Sequence, residues 1–370
     1  MSGKTSANPI VAALLSLAVL VTVAAVAAPL LVYSVTLAAF GLAHVLSELR
    51  YVDRRFGRRI APARIAAMAL LLVGAAAARA CGVFGIVDQA TAIAAELSFV
   101  IALALVVAHG SLMRCAFAIA VAAALGVATL IAPYDTTIML SMLHNLTPLA
   151  FLWEIAPRLS RARVMRTALI VFVILPLLVA TGWPRALLAA LDVPTATLDP
   201  LQAGPISAHL YIYAPAPLLH YASAIDLFSA SIVAQCAHYA TVIVVLPLLL
   251  QRRDRSAGGL IPWPRGIAFA TVVTAASVLV LQRFAGDFVE ARAIYGIAAS
   301  VHAWIEVPLI VIALTAPYAS TARTRPNASD AELVASDSNK ARAGGNMTTQ
   351  PMMPASTTTT AISPSATVGT

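Results

Sequence analysis

The sequence carries seven histidines, and their placement is the feature best suited to support chemistry. Most of them lie inside or directly before long apolar runs. An ionisable side chain inside a bilayer is costly, so it is retained mainly where it pairs, binds a metal or moves a proton. The pattern therefore predicts that histidines line an internal site. Those inside apolar runs are His44, His109, His144, His238 and His302, and those that precede one are His209 and His220.

Two of these histidines have a carboxylate four residues further along the chain: His44 with Glu48, and His302 with Glu306. Side chains at this spacing lie on the same face of a helix. The carboxylate can then bind the same metal ion, or hydrogen-bond the imidazole and fix which nitrogen carries the proton. Two such pairs within apolar runs indicate a histidine–carboxylate site.

Composition places these residues in a membrane protein. The chain is 60% hydrophobic and 11% charged, with a mean hydropathy of +0.88, whereas a soluble domain is about 45–50% apolar and about 25% charged. A transmembrane helix needs about 20 apolar residues. The sequence predicts an all-α, polytopic helix bundle with about ten spans, near residues 9–27, 30–50, 64–85, 91–112, 114–133, 137–157, 164–182, 229–250, 266–283 and 294–316.

Arginines follow the second, sixth, eighth and tenth spans, and the opposite loops are poor in basic residues. Basic residues are enriched on the cytoplasmic side of membrane proteins, so both termini are predicted to be cytoplasmic. The protein is then a multi-pass protein of the cell membrane (an inner or plasma membrane). The same clustering accounts for the net charge of +8, and we expect no nucleic-acid partner.

Two regions are predicted not to span the membrane. Residues 183–228 form an outer loop whose stretch from His209 to His220 is apolar but interrupted by prolines, and we expect it to be interfacial or re-entrant. Residues 319–370 are rich in small and polar residues and predict a disordered cytoplasmic tail. The transmembrane bundle is therefore assigned to residues 1–318.

Depth within the predicted spans groups the ionisable residues. His144, His238 and His302 lie at a similar distance from the outer ends of spans that run in the same direction, so we expect them to form one metal site. His44 and Glu306 lie just below and complete the candidate ligand set. A deeper set is expected to form a surrounding shell or proton relay, together with polar neighbours: Glu48, His109, Glu154, Tyr239, Asn145 and Gln235.

Simpler interpretations exist for single residues. One intramembrane histidine can serve only as a hydrogen bond between helices. Glu48 and Glu154 lie near basic flanks and can pair with Arg50 or Arg158 at the interface.

The segment Gly41-Leu-Ala-His-Val-Leu-Ser-Glu-Leu-Arg-Tyr-Val-Asp-Arg-Arg55, and the later Cys236-Ala-His-Tyr239, resemble the Brp/Blh-type membrane carotenoid oxygenases. The resemblance covers His44, His238 and their flanks. It implies a histidine-bound iron and the cleavage of β-carotene to retinal.

Three functions remain open from the sequence. The first is a membrane metalloenzyme, with Fe(II) bound by histidines and a carboxylate, acting on a lipophilic, carotenoid-like molecule. Zinc can use the same ligands. The second is a proton-coupled transporter with a His/Glu relay. The third is a redox protein that binds haem through histidines on facing helices. The expected partners are the lipid bilayer and a lipophilic small molecule.

Overall fold

The computed structural model describes residues 9–196, 198–253 and 259–315, without the side chains of residues 9–15 and of Arg253. All regular structure in these residues is helical, which confirms the predicted all-α fold. The predicted tail, residues 319–370, lies outside the described residues. In chain order the helices are α1 Pro9–Ala27, α2 Pro29–Phe56, α3 Pro62–Val83, α4 Gln89–Val106, α5 Leu112–Ile131, α6 Pro133–His144, α7 Pro148–Ile155, α8 Arg158–Leu169, α9 Leu175–Ala180, α10 Trp183–Ala190, α11 Ser207–Leu210, α12 Ala222–Ala240, α13 Leu246–Arg253, α14 Gly266–Gly286 and α15 Phe288–Thr315.

Nine helical stretches of the described residues are long and apolar enough to cross a membrane, so the chain is a multi-pass membrane protein. Each matches one of the predicted spans from the second to the tenth, and α1 coincides with the first. Three of the nine combine consecutive helices: α6 with α7, α8 with α9, and α12 with α13. Helices α2, α12 and α15 are the most buried, and α2 contacts both of the others.

The outer loop is shorter than predicted. Helix α12 begins at Ala222 and α15 at Phe288, several residues before the predicted starts of the eighth and tenth spans. Asp226 interrupts the apolar run in the sequence, but two 2.8 Å hydrogen bonds from Arg185 compensate its charge and let α12 extend through it. The span ends from which we counted the histidine depths were therefore wrong for these two spans.

The middle of the outer loop packs into the bundle. His209 is fully buried, its Nδ1 lies 2.6 Å from Arg292 and its Nε2 lies 2.9 Å from the Ala203 carbonyl oxygen. Because a guanidinium only donates, Nδ1 accepts and Nε2–H donates. Burial and the Arg292 charge lower the pKa of His209, against the opposing effect of the Ala203 hydrogen bond. Within the stretch that we predicted to be interfacial or re-entrant, His209 and Tyr213 are buried, while His220 is exposed.

Proline positions interrupt two of the long helical stretches around the histidines. The chain turns at residues 145–147, directly after His144, and resumes as α7 at Pro148. After His238 the helix widens into a π-helical segment, Thr241–Val245, just before Pro247. Proline lacks an N–H and clashes with the carbonyl four residues earlier, which explains this widening.

A close approach of α2 and α15 brings two histidine-bearing helices together. The Tyr295 hydroxyl donates to the Gly41 carbonyl oxygen at 3.0 Å. A Cβ atom at Gly41 would lie only 3.1 Å from the Tyr295 ring. The absence of a side chain at Gly41 therefore permits this approach one turn before His44.

Membrane orientation stays a prediction that reporter fusions can test. C-terminal fusions at Asp88, Asp135 and Asp199 should report the outside, and fusions near Arg58, Arg161 and Arg253 should report the cytoplasm, because arginines mark the inner ends. Paired alkaline phosphatase and green fluorescent protein reporters provide the measurement. An exchange of sides at any one position would contradict the orientation.

Candidate metal site

Four histidines from four helices meet in the interior of the bundle. They are His44 on α2, His144 at the end of α6, His238 on α12 and His302 on α15, and each offers a ring nitrogen within 4.8 Å of the others. The predicted convergence of His144, His238 and His302 is confirmed, and His44 joins them in the same set. Their role as metal ligands stays a prediction.

One pair of ring nitrogens has a separation typical of ligands on one ion. His44 Nε2 lies 3.0 Å from His302 Nε2. Two nitrogens bound at about 2.1 Å and separated by about 90° at one metal ion would lie about 3.0 Å apart. Without a metal, one of the two must donate to the other, because two lone pairs would repel at this distance. The Tyr239 ring stacks on His44, with centroids 4.0 Å apart and an angle of 20°.

Glu306 holds the ring of His144. Its Oε2 lies 2.5 Å from His144 Nδ1, and its Oε1 accepts from the Thr147 hydroxyl at 2.6 Å. A hydrogen bond from Nδ1–H leaves the lone pair of Nε2 available for a metal, an arrangement common around metal-binding histidines. Both Glu306 oxygens are thus used, and this contact suits an orienting role better than the predicted role as a ligand.

Glu48 lies beside His238, with Oε2 3.3 Å from Nε2. We expected Glu48 in a deeper layer with His109 and Glu154, and that grouping was wrong. Glu48, His238 and Glu306 instead form a second set whose ligand atoms lie within 4.8 Å of one another. The turn of the helix explains this, because Glu48 is one turn from His44 and shares its face.

Several polar atoms of this cluster have no hydrogen-bond partner among the described residues. They include both oxygens of Glu48 and both ring nitrogens of His238, and the two side chains are fully buried. A buried polar group left without a hydrogen bond costs about 1–3 kcal/mol, and more where it is charged. The residues present therefore fit a bound cation, which would satisfy several of these atoms at once.

A small cavity adjoins the histidines. Its volume is about 170 Å³, and His44, His144 and His302 form part of its wall. The predicted neighbours Asn145, Gln235 and Tyr239 also line it. Asn145 Nδ2 donates to the Ser141 carbonyl oxygen at 3.3 Å, and Gln235 Oε1 accepts from the Tyr213 hydroxyl at 3.2 Å.

Arg79 of the cavity wall forms an ion pair with Glu96 that the sequence analysis missed. Arg79 Nε donates to both oxygens of Glu96 at 2.8 and 3.1 Å. Trp304 Nε1 also donates to Glu96 Oε1 at 2.6 Å. Both charged residues lie within predicted spans. Ionisable residues inside a span are retained mainly where they pair or function, and this reasoning, which we applied to the histidines, would have identified Arg79 and Glu96 as well.

The other predicted residues lie elsewhere. His109 is in the turn after α4, because this helix ends at Val106, before the predicted span does. Glu154 forms an ion pair with Arg55, whose Nε donates to it at 2.8 Å. His209 and His220 belong to the outer loop and join neither set.

Comparison with family models, curated proteins and solved structures gives no match to this chain. Functional inference therefore depends on the site itself.

Breaking the ion pair in the cavity wall should destabilise the bundle. Arg79→Met leaves the Glu96 carboxylate without its cation, and removing one partner of a buried pair costs about 3–5 kcal/mol. We expect the free energy of unfolding to fall by an amount near the lower end of this range, because 26% of the Arg79 side chain is exposed. The measurement is unfolding by sodium dodecyl sulfate in mixed micelles.

The exposed pair of Arg283 and Glu290 provides the matched control, since Arg283→Met should cost only about 0–1 kcal/mol. The double variant Arg79→Met/Glu96→Gln should recover most of the loss. Equal stability of Arg79→Met and the wild-type protein would contradict the structural importance of this pair.

Proposed function

We propose that the protein is an integral-membrane, metal-dependent enzyme that acts on a lipophilic substrate. The observation that supports this most is the convergence of four histidines within 4.8 Å, deep among helices long and apolar enough to span a membrane. Burying so many imidazoles in an apolar environment is costly unless they bind or transfer something. In this proposal the substrate reaches the site from the bilayer.

Charge balance also supports a divalent cation. Glu48 and Glu306 are 0% and 1% exposed and lie in the same set of potential ligands. Two ionised carboxylates at this separation repel strongly when water is excluded. One divalent ion beside neutral histidines would offset both negative charges. The proposed ligands are His44, His144, His238 and His302, with Glu306 orienting His144 and Glu48 beside His238.

Iron(II) is the metal that best suits an oxidation reaction here. Histidine and carboxylate ligands with an open position are typical of non-haem iron oxygenases, in which the metal activates dioxygen. The cavity beside His44 and His302 would provide the open side. One dioxygen molecule and one carbon–carbon double bond give two carbonyl groups, so cleavage of the kind that the carotenoid-oxygenase resemblance implies needs no further reductant. Zinc fits the same ligands and would instead activate water.

Haem fits this site less well. The ring centroids of neighbouring histidines are 4.6–5.4 Å apart, which leaves no space for a porphyrin between them. The cavity of about 170 Å³ is also smaller than the about 300–1,000 Å³ of typical sites for drug-sized ligands.

Metal content provides the test of this function. Protein purified in detergent from iron-supplied cells, or titrated with Fe(II) without oxygen, should hold about one transition-metal ion per chain. His44→Ala and His302→Ala should each lose at least about 10-fold in affinity, as losses around metal sites typically do. Plasma mass spectrometry measures the content, and size-exclusion chromatography confirms folding.

His109→Ala and His220→Ala are matched controls, because both histidines lie outside the cluster, and they should bind metal like the wild-type protein. A wild-type protein that binds no transition metal, or a His44→Ala variant that binds it normally, would contradict the proposal. The first result would favour the proton-coupled transporter instead.

A further inference from the structure

The cavity beside the histidines contains one amide whose hydrogen-bonding capacity is only half used. Gln235 is 4% exposed and lines the cavity. Its Oε1 accepts from the Tyr213 hydroxyl, while its Nε2 has no hydrogen-bond partner among the described residues. A buried amide normally satisfies both ends. Nε2 itself has almost no accessible surface, so this unpaired donor reaches an acceptor oxygen in the cavity once the amide group turns toward it.

The position of Gln235 relates it to the histidines. It precedes His238 by three residues on α12, so the Cα atoms of the two residues are about 4.5 Å apart along the helix axis. His44 and His302 line the same cavity. An oxygen bound by Gln235 would thus place the carbon atoms next to it beside the histidine cluster.

The charge of the wall indicates a neutral ligand. Arg79 lines the cavity, but its charge is matched by Glu96 through hydrogen bonds at 2.8 and 3.1 Å. A carboxylate or phosphate would need an uncompensated cation to offset its loss of hydration. A carbonyl or hydroxyl oxygen needs only a donor such as Gln235 Nε2.

The size of the cavity limits what it encloses. The cavity volume of about 170 Å³ is below the about 300–1,000 Å³ of sites that enclose most of a drug-sized ligand. Only the end of a long lipid would fit, and the rest of the molecule would have to lie between helices or in the bilayer.

We propose that this cavity binds the neutral, oxygen-bearing end of a lipophilic substrate, an aldehyde, ketone or alcohol, through Gln235 Nε2. The inference deepens the proposed function, because it narrows the substrate from any lipophilic molecule to one with a terminal carbonyl or hydroxyl group. Gln235 is then a residue that determines specificity and sets which carbons face the histidines.

The test compares n-hexanal, n-hexanol and n-hexane as probes of chelator-treated, metal-free protein in detergent. Binding is measured as the rise in unfolding temperature with probe concentration, since a ligand of the folded state stabilises it by mass action. The aldehyde and the alcohol should bind the wild-type protein more tightly than the hydrocarbon. Gln235→Leu should weaken binding of the two oxygenated probes roughly 5- to 30-fold, the range expected for one lost hydrogen bond in a buried site.

Ser300→Ala is the matched control, because Ser300 also lines the cavity but its hydroxyl already donates to the Ile297 carbonyl oxygen at 2.8 Å. It should keep the wild-type preference. Equal binding of all three probes, or an unchanged preference in folded Gln235→Leu, would overturn the inference. A conservative variant, Gln235→Asn, guards against misfolding and should retain part of the preference.

The two proposals fail separately. Because the probes are measured without metal, loss of the preference would leave the metal content and the proposed function intact. A protein that binds no metal but prefers the oxygenated probes would retain this cavity as a binding site and remove only the metalloenzyme function.

Discussion

Six ionisable side chains lie together among apolar helices, and the need to compensate them constrains the rest of the bundle. Four are histidines and two are the carboxylates of Glu48 and Glu306. In a medium that excludes water, each polar atom requires a partner nearby. The hydrogen bond between His144 and Glu306 meets part of this need, whereas Glu48 and His238 lie 3.3 Å apart without forming a hydrogen bond. One bound cation would interact with several of the remaining unpaired atoms at once.

The surrounding helices satisfy this constraint through local irregularities. The turn at residues 145–147 ends α6 at His144 and frees Thr147 to donate to Glu306. Gly41 lets α15 approach α2, so that His302 reaches His44. A π-helical segment follows His238, and such segments are frequent at functional sites. The helices that carry the cluster are therefore shaped by a few prolines and one glycine.

Much of the fold could be predicted from the sequence, because long apolar runs and arginine flanks are strong signals. The helix starts were less predictable. From the sequence, Asp226 was assigned to a loop because it is charged. Its partner Arg185 lies far away in the sequence, and such a pairing produces no local sequence pattern. For the same reason the histidine convergence was predictable in outline, but the place of Glu48 beside His238 was not. His109 was predicted to lie inside a span because the apolar run continues past it, but the helix already ends at Val106.

The orientation of side chains around the cavity was also beyond the sequence. Arg79 and Glu96 lie on neighbouring helices, and Glu96 compensates the charge that Arg79 brings to the cavity wall. Gln235 was identified as a polar neighbour, but only the structure shows that one end of its amide is used by Tyr213. These details change the expected ligand from any lipophilic molecule to one with a neutral oxygen.

X-ray absorption spectroscopy of the metal-loaded protein tests the central claim most directly, because it reports the atoms around the ion. The account predicts a first shell of nitrogen or oxygen atoms at about 2.0–2.2 Å, with the outer-shell scattering of several imidazole rings. That imidazole signal should decrease in His302→Ala. A first shell with sulfur at about 2.3 Å, or one without imidazole scattering, would show that the metal binds elsewhere and would contradict the account.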